Sequence, residues 1–448
     1  MSHRKRRGLY CGAGFLLVAA VVGALTFRFQ PSSAATPSPG RPYPPANGVA
    51  VSLGDSYIAG EGARWIGNAD NGPLRGDVEG DEVTVRESPL TLPGWLPGRS
   101  FAGKKTASLF PGGSFTSKAS GEQEDPGCHR SDAAEILVAS RTEESAGRIA
   151  SRGVNLACSG AETRHLLTEG YKGERPQIDQ LAALVARGTP VTLVVVSIGG
   201  NDLDVSGLAR DCAAGYFLTA LRDTCVADSP LARADAPAYV QVGERIRTVL
   251  GAVKGVFTQR RLPLPQIILQ SYPRPLASLT DLRPTTSLLN ARYADLGYPF
   301  DDEGATLIQQ VVTHLNAAVR AAALDSGVSF LDAAGATRGH ELGHKDARLQ
   351  ERNPEGGASQ GRYGPGELEW VRWVDNLDLA GRTEDAQRQQ ESLHPNYLGT
   401  QSQAACLKSF VSRMTEPARV YDGTCVVAPG GAPSLTTATT RVRAAAAR

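Results

Sequence analysis

The sequence predicts an α/β fold, a three-layer α/β/α arrangement around a mostly parallel five-stranded sheet. Short β-branched runs alternate with helical patterns along the chain, which favours parallel strands covered by helices on both faces. The runs typical of buried strands are residues 48–53, 154–157, 191–198, 266–270 and 328–331. The runs with the apolar spacing of helices are residues 131–151, 178–187, 239–257 and 302–324.

The two ends of the chain have compositions unlike that of a packed domain. Residues 1–35 contain a basic start, an uncharged run and small residues near Ser33, which are the parts of an export signal. The uncharged run approaches the ~20 residues that span a bilayer, so an uncleaved membrane anchor is the alternative. We predict a linker at 36–46, one large domain at 47–426 and a disordered tail at 427–448. The protein is expected to be secreted, or anchored with its domain outside the cell.

Four Gly-, Pro- and charge-rich stretches interrupt the alternation of strands and helices. Loops of this length are usually functional or disordered. We interpret them as insertions, which either form a rim over a site or are solvent-exposed decoration. They are residues 66–127, 204–237, 272–301 and 335–390.

Charge and cysteine content narrow the classes of partner. The chain has 47 basic and 46 acidic side chains and a net charge of +1, so no global field favours nucleic acid. Six of the seven cysteines follow the N-terminal segment, and six cysteines allow 15 pairings. We predict the sequential pairing, and the absence of CxxC spacing argues against zinc bound through cysteine. The predicted disulfides are Cys128–Cys158, Cys212–Cys225 and Cys406–Cys425.

Three strand ends carry residues suited to catalysis, since ligands of open parallel sheets bind beyond the carboxyl ends of the strands. Ser56 follows the first strand at a predicted strand-to-helix turn, where its amide lies at a helix N-terminus and its hydroxyl is exposed. Gly160 and Asn201 follow the next two strands and offer uncharged amide donors. The alternatives are structural: a helix cap at Asp55 or Ser56, a turn at Gly160 and a cap at Asn201.

A late histidine supplies the remaining chemical group. His394 stands in the run ESLHPN, and its side chain has the pKa needed to take a proton from a serine near neutral pH. Together, the runs GDSYIAGEG, NLACSGA, SIGGND and ESLHPN resemble, in order, the four blocks of the SGNH (GDSL) hydrolase family. The runs CHRS at 128–131 and GHEL at 339–342 are similar to elements of secreted actinobacterial lipases and esterases in that family.

The resemblance implies a flavodoxin-like hydrolase fold and a role for each matching residue. Ser56 is then the nucleophile, His394 the base, and the amides of Ser56 and Gly160 with the Asn201 side chain form the oxyanion hole. The family usually has Asp three residues before the histidine, where this chain has Glu391. Either Glu391 or a backbone carbonyl is expected to orient the imidazole.

Two other motifs compete with this interpretation. Residues 340–344 match HExxH, a zinc metallopeptidase pattern that needs two histidines on one helix face. Glycines at 335, 339 and 343 disfavour that helix, because each costs ~1 kcal/mol in a helix interior. Residues 357–361 match the GxSxG elbow but follow no predicted strand, so we interpret them as a loop.

The predicted function is hydrolysis of acyl esters by a monomeric serine esterase or lipase, acting on a small-molecule or lipid substrate with transient contact to a lipid interface. No cofactor is expected, because acyl transfer needs a nucleophile, a base and fixed dipoles. A carbohydrate O-acetyl esterase would use the same chemistry. The alternatives from other classes are a zinc metallopeptidase and a non-catalytic cell-surface binding protein.

Overall fold

The structure is a computed structural model, and the part of the chain it describes lies between residues 48 and 443. The chain divides into two compact units, residues 1–40 and 41–448. The first unit, the predicted signal or anchor, the linker and the GxSxG match lie outside the described residues. Described are residues 48–63, 75–79, 82–86, 105–108, 127–131, 133–141, 149–150, 152–217, 225, 229–284, 299–347, 365–372, 391–416, 419–427 and 437–443.

A seven-stranded sheet forms the centre of the second unit. Its strands are β1 (Val49–Gly54), β5 (Arg152–Asn155), β6 (Val191–Ser197), β7 (Gln266–Gln270), β8 (Ser329–Asp332), β9 (Val420–Val426) and β10 (Thr437–Arg443). Their spatial order is β10-β9-β8-β7-β6-β1-β5. Six strands pair in parallel, and β10 pairs antiparallel with β9. The predicted mostly parallel sheet is confirmed, and the five strands expected from the sequence are all present.

Eight α-helices are found among the described residues. They are α1 (Ser56–Ala59), α2 (Glu135–Arg141), α3 (Thr163–Leu167), α4 (Gln177–Ala186), α5 (Val205–Phe217), α6 (Pro237–Thr258), α7 (Asp302–Asp325) and α8 (Tyr397–Ser412). Three of the four predicted helices agree with α4, α6 and α7 to within two residues. The fourth, predicted at 131–151, is wrong in length: its helix is α2, and β5 begins at Arg152.

The two faces of the sheet carry separate hydrophobic cores. Alternate residues of each strand point to opposite faces, so Val51 and Leu53 of β1 pack with α3, α4, α6 and α7, whereas Ala50 packs with α1, α2 and α8. The same alternation separates Val194 from Val195 in β6. Helices therefore cover both faces, which is the predicted three-layer α/β/α arrangement.

Two strands at one end of the sheet, β9 and β10, were not predicted from the sequence. The run VYDGTCV of β9 contains Asp-Gly, which is typical of a turn, but Asp422 is paired with Arg320 of α7 and stays within the strand. The tail predicted to be disordered from residue 427 is wrong at 437–443. Its backbone forms β10 by hydrogen bonding to the free edge of β9, a long-range contact that composition does not reveal.

The predicted insertions contain regular structure. Residues 66–127 include three strands, β2 (Arg75–Glu79), β3 (Glu82–Arg86) and β4 (Lys105–Ser108), which form a small antiparallel sheet in that order. Residues 204–237 include α5. Whether the insertions form a rim over the site stays a prediction. Among the described residues, no helix is both long and apolar enough to cross a membrane.

Candidate active site

Ser56 occupies the turn between the buried strand β1 and the short helix α1. Gly54 ends the strand with φ +144°, and a Cβ there would lie 1.8 Å from the carbonyl oxygen of Ser197, so only glycine fits. Asp55 caps the helix by accepting a hydrogen bond from the Tyr57 amide at 3.2 Å. Ser56 is therefore the first residue of the helix, just beyond the carboxyl end of β1.

His394 lies beside Ser56 although 338 residues separate the two. The distance between Ser56 Oγ and His394 Nε2 is 2.6 Å, within reach of proton transfer. The other ring nitrogen, Nδ1, lies 3.0 Å from the carbonyl oxygen of Ser392. Because a carbonyl oxygen can only accept, Nδ1 must carry the proton, which leaves Nε2 free to accept the serine proton.

Glu391 is fully buried at the start of the same turn. Its backbone carbonyl accepts a hydrogen bond from the His394 amide at 3.2 Å. With the Ser392 carbonyl at Nδ1, the geometry favours the second of the two predicted arrangements, in which a backbone carbonyl orients the imidazole. The role of the Glu391 carboxylate stays a prediction.

A short strip of chain holds the histidine turn in place. The Arg372 amide donates to the carbonyl of His394 at 2.8 Å, and the Asn396 amide donates to the carbonyl of Trp370 at 2.9 Å. Leu393 has φ +63°, an uncommon backbone conformation for a branched residue. Its carbonyl accepts the Tyr57 hydroxyl at 2.9 Å, which ties the turn to α1.

The three predicted oxyanion donors follow three neighbouring strands, β5, β1 and β6. Within the described part of the chain, the amides of Ser56 and Gly160 donate to no protein group, so both remain available to a ligand. Asn201 uses one side-chain hydrogen to donate to the carbonyl of Ala161 at 2.9 Å, and its second hydrogen remains. That bond also joins the Asn201 turn to the Gly160 turn.

Gly160 is required by its backbone conformation and its neighbour. Its φ is +81°, and a Cβ on it would lie 2.6 Å from the Tyr171 hydroxyl oxygen. The adjoining turn is braced by Asp202, whose carboxylate accepts from the Thr163 amide at 2.9 Å and from the Thr163 hydroxyl at 2.6 Å. Asp202, inside the third block, and Thr163, outside the blocks, thus join the Asn201 turn to the segment after Gly160.

The CHRS run supports the turn that contains Gly160. Cys128 forms a disulfide with Cys158, and the Ser159 amide donates to the carbonyl of Cys128 at 3.0 Å. Arg130 is buried, donates to the carbonyl of Ala157 at 2.7 Å and forms an ion pair with Glu174. The other two disulfides are Cys212–Cys225 and Cys406–Cys425, so the structure contains the sequential pairing.

A largely buried ion pair between Glu61 and His129, near His394, was not predicted from the sequence. Glu61, within the first block, contacts His129 Nδ1 at 2.7 Å. Burial alone would raise the pKa of Glu61, but the hydrogen bond and charge of His129, together with the charge of His394, bring it below its ordinary value. Burial lowers the pKa of His129, and the Glu61 carboxylate outweighs that and raises it. The Glu61 carboxylate therefore lies close enough to His394 for their charges to interact.

The HExxH segment forms turns, so His340 and His344 do not share a helix face. His340 Nδ1 lies 2.7 Å from the carbonyl oxygen of Leu368, and the ring stacks on Trp370 with centroids 3.7 Å apart. Burial lowers the pKa of His340 to about 4. No group of three or more metal-ligating side chains occurs among the described residues. His340 instead packs against the strip that holds the His394 turn.

The comparison with known families decides the class of the protein. A model of the GDSL-like lipase/acylhydrolase family matches residues 112–402, more than half of the chain. The chain belongs to this family. The matched range of this GDSL-like hydrolase includes Gly160, Asn201 and His394 and begins after Ser56. The protein is accordingly a carboxylic ester hydrolase.

Several solved structures are similar to this GDSL-like hydrolase. An extracellular lipase from Streptomyces rimosus has 18% identity, covers 79% of this chain and 94% of its own, and gives a TM-score of 0.40. A phospholipase A1 from Streptomyces albidoflavus has 18% identity, covers 79% of this chain and 95% of its own, and gives a TM-score of 0.39. A carbohydrate acetylesterase from Sinorhizobium meliloti has 12% identity, covers 64% of this chain and 85% of its own, and gives a TM-score of 0.28. No match is found among curated proteins.

Proposed function

We propose that the protein is an exported serine esterase or lipase in which Ser56 is the nucleophile and His394 the general base. The observation that carries the proposal is the 2.6 Å separation of Ser56 Oγ and His394 Nε2, with Nδ1 held by the Ser392 carbonyl. That arrangement fixes the tautomer that accepts a proton from serine. The substrate class is a carboxylic ester of a small molecule or a lipid.

In the first half of the reaction, Ser56 Oγ attacks the carbonyl carbon of the ester while its proton passes to Nε2 of His394. The negative charge on the former carbonyl oxygen is stabilised by the amides of Ser56 and Gly160 and by the Asn201 side chain. Each such donor contributes ~10²–10³ in turnover. The tetrahedral intermediate then collapses, the bond to the alcohol oxygen breaks, and the alcohol leaves with the proton from Nε2.

In the second half, Nε2 takes a proton from water as the water oxygen attacks the acyl carbon. The bond between that carbon and Ser56 Oγ breaks, the carboxylic acid departs, and the proton returns to Ser56. Through both halves, the Ser392 carbonyl stabilises the imidazolium by accepting from Nδ1. The nearby Glu61 carboxylate lowers the energy of the same cation.

Export is supported by the basic and apolar N-terminal segment and by the three disulfides. Disulfides persist in oxidising compartments outside the cytosol. Expression in a bacterial host followed by N-terminal sequencing of protein from the medium tests this part. Cleavage near residue 35 is expected, and retention of the unprocessed chain in the cytoplasm contradicts it.

The catalytic part is tested with Ser56→Ala and His394→Ala. Each should lower kcat for a short p-nitrophenyl ester by roughly 10⁴-fold or more while leaving the melting temperature nearly unchanged. Ser412→Ala is the matched control, since Ser412 is exposed at the end of α8 and should leave the rate unaltered. Substantial hydrolysis by Ser56→Ala would refute the assignment. The same enzymes, assayed on longer acyl chains, a phospholipid and an acetylated sugar, identify the substrate class.

A further inference from the structure

The buried Tyr272 connects two turns of the proposed active site through one hydroxyl group. It lies two residues beyond β7, and its hydroxyl donates a hydrogen bond to the carboxylate of Asp55, the residue before Ser56. The same oxygen accepts a hydrogen bond from the amide of Gly200, the residue before Asn201, at 2.9 Å. By donating one hydrogen bond and accepting another, the hydroxyl therefore links the turn that contains Ser56 to the turn that contains Asn201.

The position of Tyr272 is itself fixed from α7. The Asn316 side chain accepts from the Tyr272 amide at 2.9 Å and donates to the Tyr272 carbonyl at 2.8 Å. Gly200 approaches closely, since a Cβ on it would lie 3.3 Å from the Tyr272 hydroxyl oxygen. A residue held at its backbone by two hydrogen bonds can hold other groups in place through its side chain.

The ring of Tyr272 extends this connection to the histidine turn. It packs edge-to-face on Tyr57 with centroids 5.2 Å apart. The Tyr57 ring in turn lies 4.5 Å from the His394 ring, and its hydroxyl donates to the Leu393 carbonyl. The two tyrosines thus contact the turns that contain Ser56, Asn201 and His394.

The charged form of the Asp55 carboxyl group is stabilised by the hydrogen bonds it accepts. Burial raises the pKa of Asp55 to about 7, and the hydrogen bonds from the Tyr272 hydroxyl and the Tyr57 amide oppose that rise. The nearby charge of Asp202 adds to the rise. Burial and the Asp55 charge raise the pKa of Tyr272 well above its ordinary range, so its hydroxyl stays a donor.

We propose that Tyr272 is a positioning residue whose hydroxyl sets the distance between the Ser56 turn and the Asn201 turn. The proposal rests on the proposed serine mechanism. It predicts that the hydroxyl matters for the transition state, where the oxyanion must meet its donors, and matters little for substrate binding.

The test compares Tyr272→Phe with Tyr239→Phe in the full-length protein. Tyr239 is an equally buried tyrosine of the same core, whose hydroxyl donates to the Leu231 carbonyl at 2.6 Å away from the site. Tyr272→Phe keeps the ring packing and should lower kcat about ten- to hundredfold with KM changed by less than about twofold. Tyr239→Phe should retain the wild-type kcat. Affinity for a boronic acid, which forms a tetrahedral adduct with serine, should fall with the kcat of Tyr272→Phe.

A second variant covers the case in which Tyr272→Phe fails to fold. Gly200→Ala is compatible with the backbone, whose φ is −62°, and its methyl group displaces the Tyr272 hydroxyl by a few tenths of an ångström. It should also lower kcat more than it changes KM. Wild-type kcat in the folded variants, or an equal loss in Tyr239→Phe, overturns the positioning role. If Ser56→Ala keeps its activity, the serine mechanism itself has failed.

Discussion

Replacing Gly160 by alanine perturbs one oxyanion donor by an amount that the structure specifies. The added Cβ would lie 2.6 Å from the Tyr171 hydroxyl oxygen, about 0.8 Å short of an ordinary contact of 3.4 Å. Either the tyrosine or the Gly160 amide must move by that distance. A displacement near 1 Å can cost about 10²-fold in rate, so we expect Gly160→Ala to lower kcat by about that factor.

The double variant Gly160→Ala/Tyr171→Phe separates the steric effect from backbone strain. Without the hydroxyl, the closest ring atom is Cζ at 3.5 Å, an ordinary contact. Most of the lost kcat should therefore return. The left-handed conformation at residue 160, with φ +81°, still costs ~1–2 kcal/mol with alanine and should persist as lower stability.

The assay is steady-state hydrolysis of p-nitrophenyl butyrate, with thermal melting of each variant. Tyr171→Phe alone is the control, since it keeps the stack on His165 at 4.0 Å and should retain the wild-type kcat. Wild-type kcat in Gly160→Ala would refute the expected displacement of the Gly160 amide. A double variant as slow as Gly160→Ala would refute the steric explanation.

Three further predictions concern stability and metal dependence. The Glu61–His129 pair should stabilise the fold most between pH 4.5 and 6.5, the ordinary pKa values of the two groups. The contribution of Glu61 is lost as pH falls through its lowered pKa, because the carboxylate becomes protonated. The contribution of His129 is lost as pH rises through its raised pKa, because the imidazolium loses its proton. Denaturant unfolding of wild type and Glu61→Gln across pH measures this, and a constant difference contradicts it. Replacing Cys212 and Cys225 together by serine opens a loop of sequence separation 13 and should cost about 3 kcal/mol, measured in the same way; unchanged stability would contradict the bond. His344→Ala and wild type should both keep full esterase activity after dialysis against EDTA, and a loss on chelation would favour a metal mechanism.

Local sequence patterns were sufficient for the central strands and for the proposed catalytic residues. Buried β-branched runs identify β1, β6 and β7 because their side chains are apolar on both faces. Ser56, Gly160 and Asn201 were found because each stands just beyond such a run, where parallel sheets bind ligands.

What the sequence analysis missed depends on contacts distant in the chain. Tyr272 stands in no motif, and its position beside Gly200 follows only from the neighbouring order of β6 and β7. His129 pairs with Glu61 across 68 residues. The Ser392 carbonyl at Nδ1 depends on the local path of the histidine turn, which side-chain identities do not specify.

The tail and β9 illustrate the same limit for the fold. An Asp-Gly pair and an Ala/Thr/Arg composition predict turn and disorder when considered locally. The charge of Asp422 meets Arg320 of α7, and the free edge of β9 pairs with the backbone of residues 437–443. Both results are decided by partners that local patterns do not include.

The most direct test of the central claim is covalent labelling by a fluorophosphonate probe, followed by peptide mass mapping. Such probes react with a serine whose hydroxyl is activated by a neighbouring base. A single adduct on Ser56, lost together with esterase activity in His394→Ala, is the expected result. An adduct on a different residue, or full activity in a protein labelled completely at Ser56, would contradict the account.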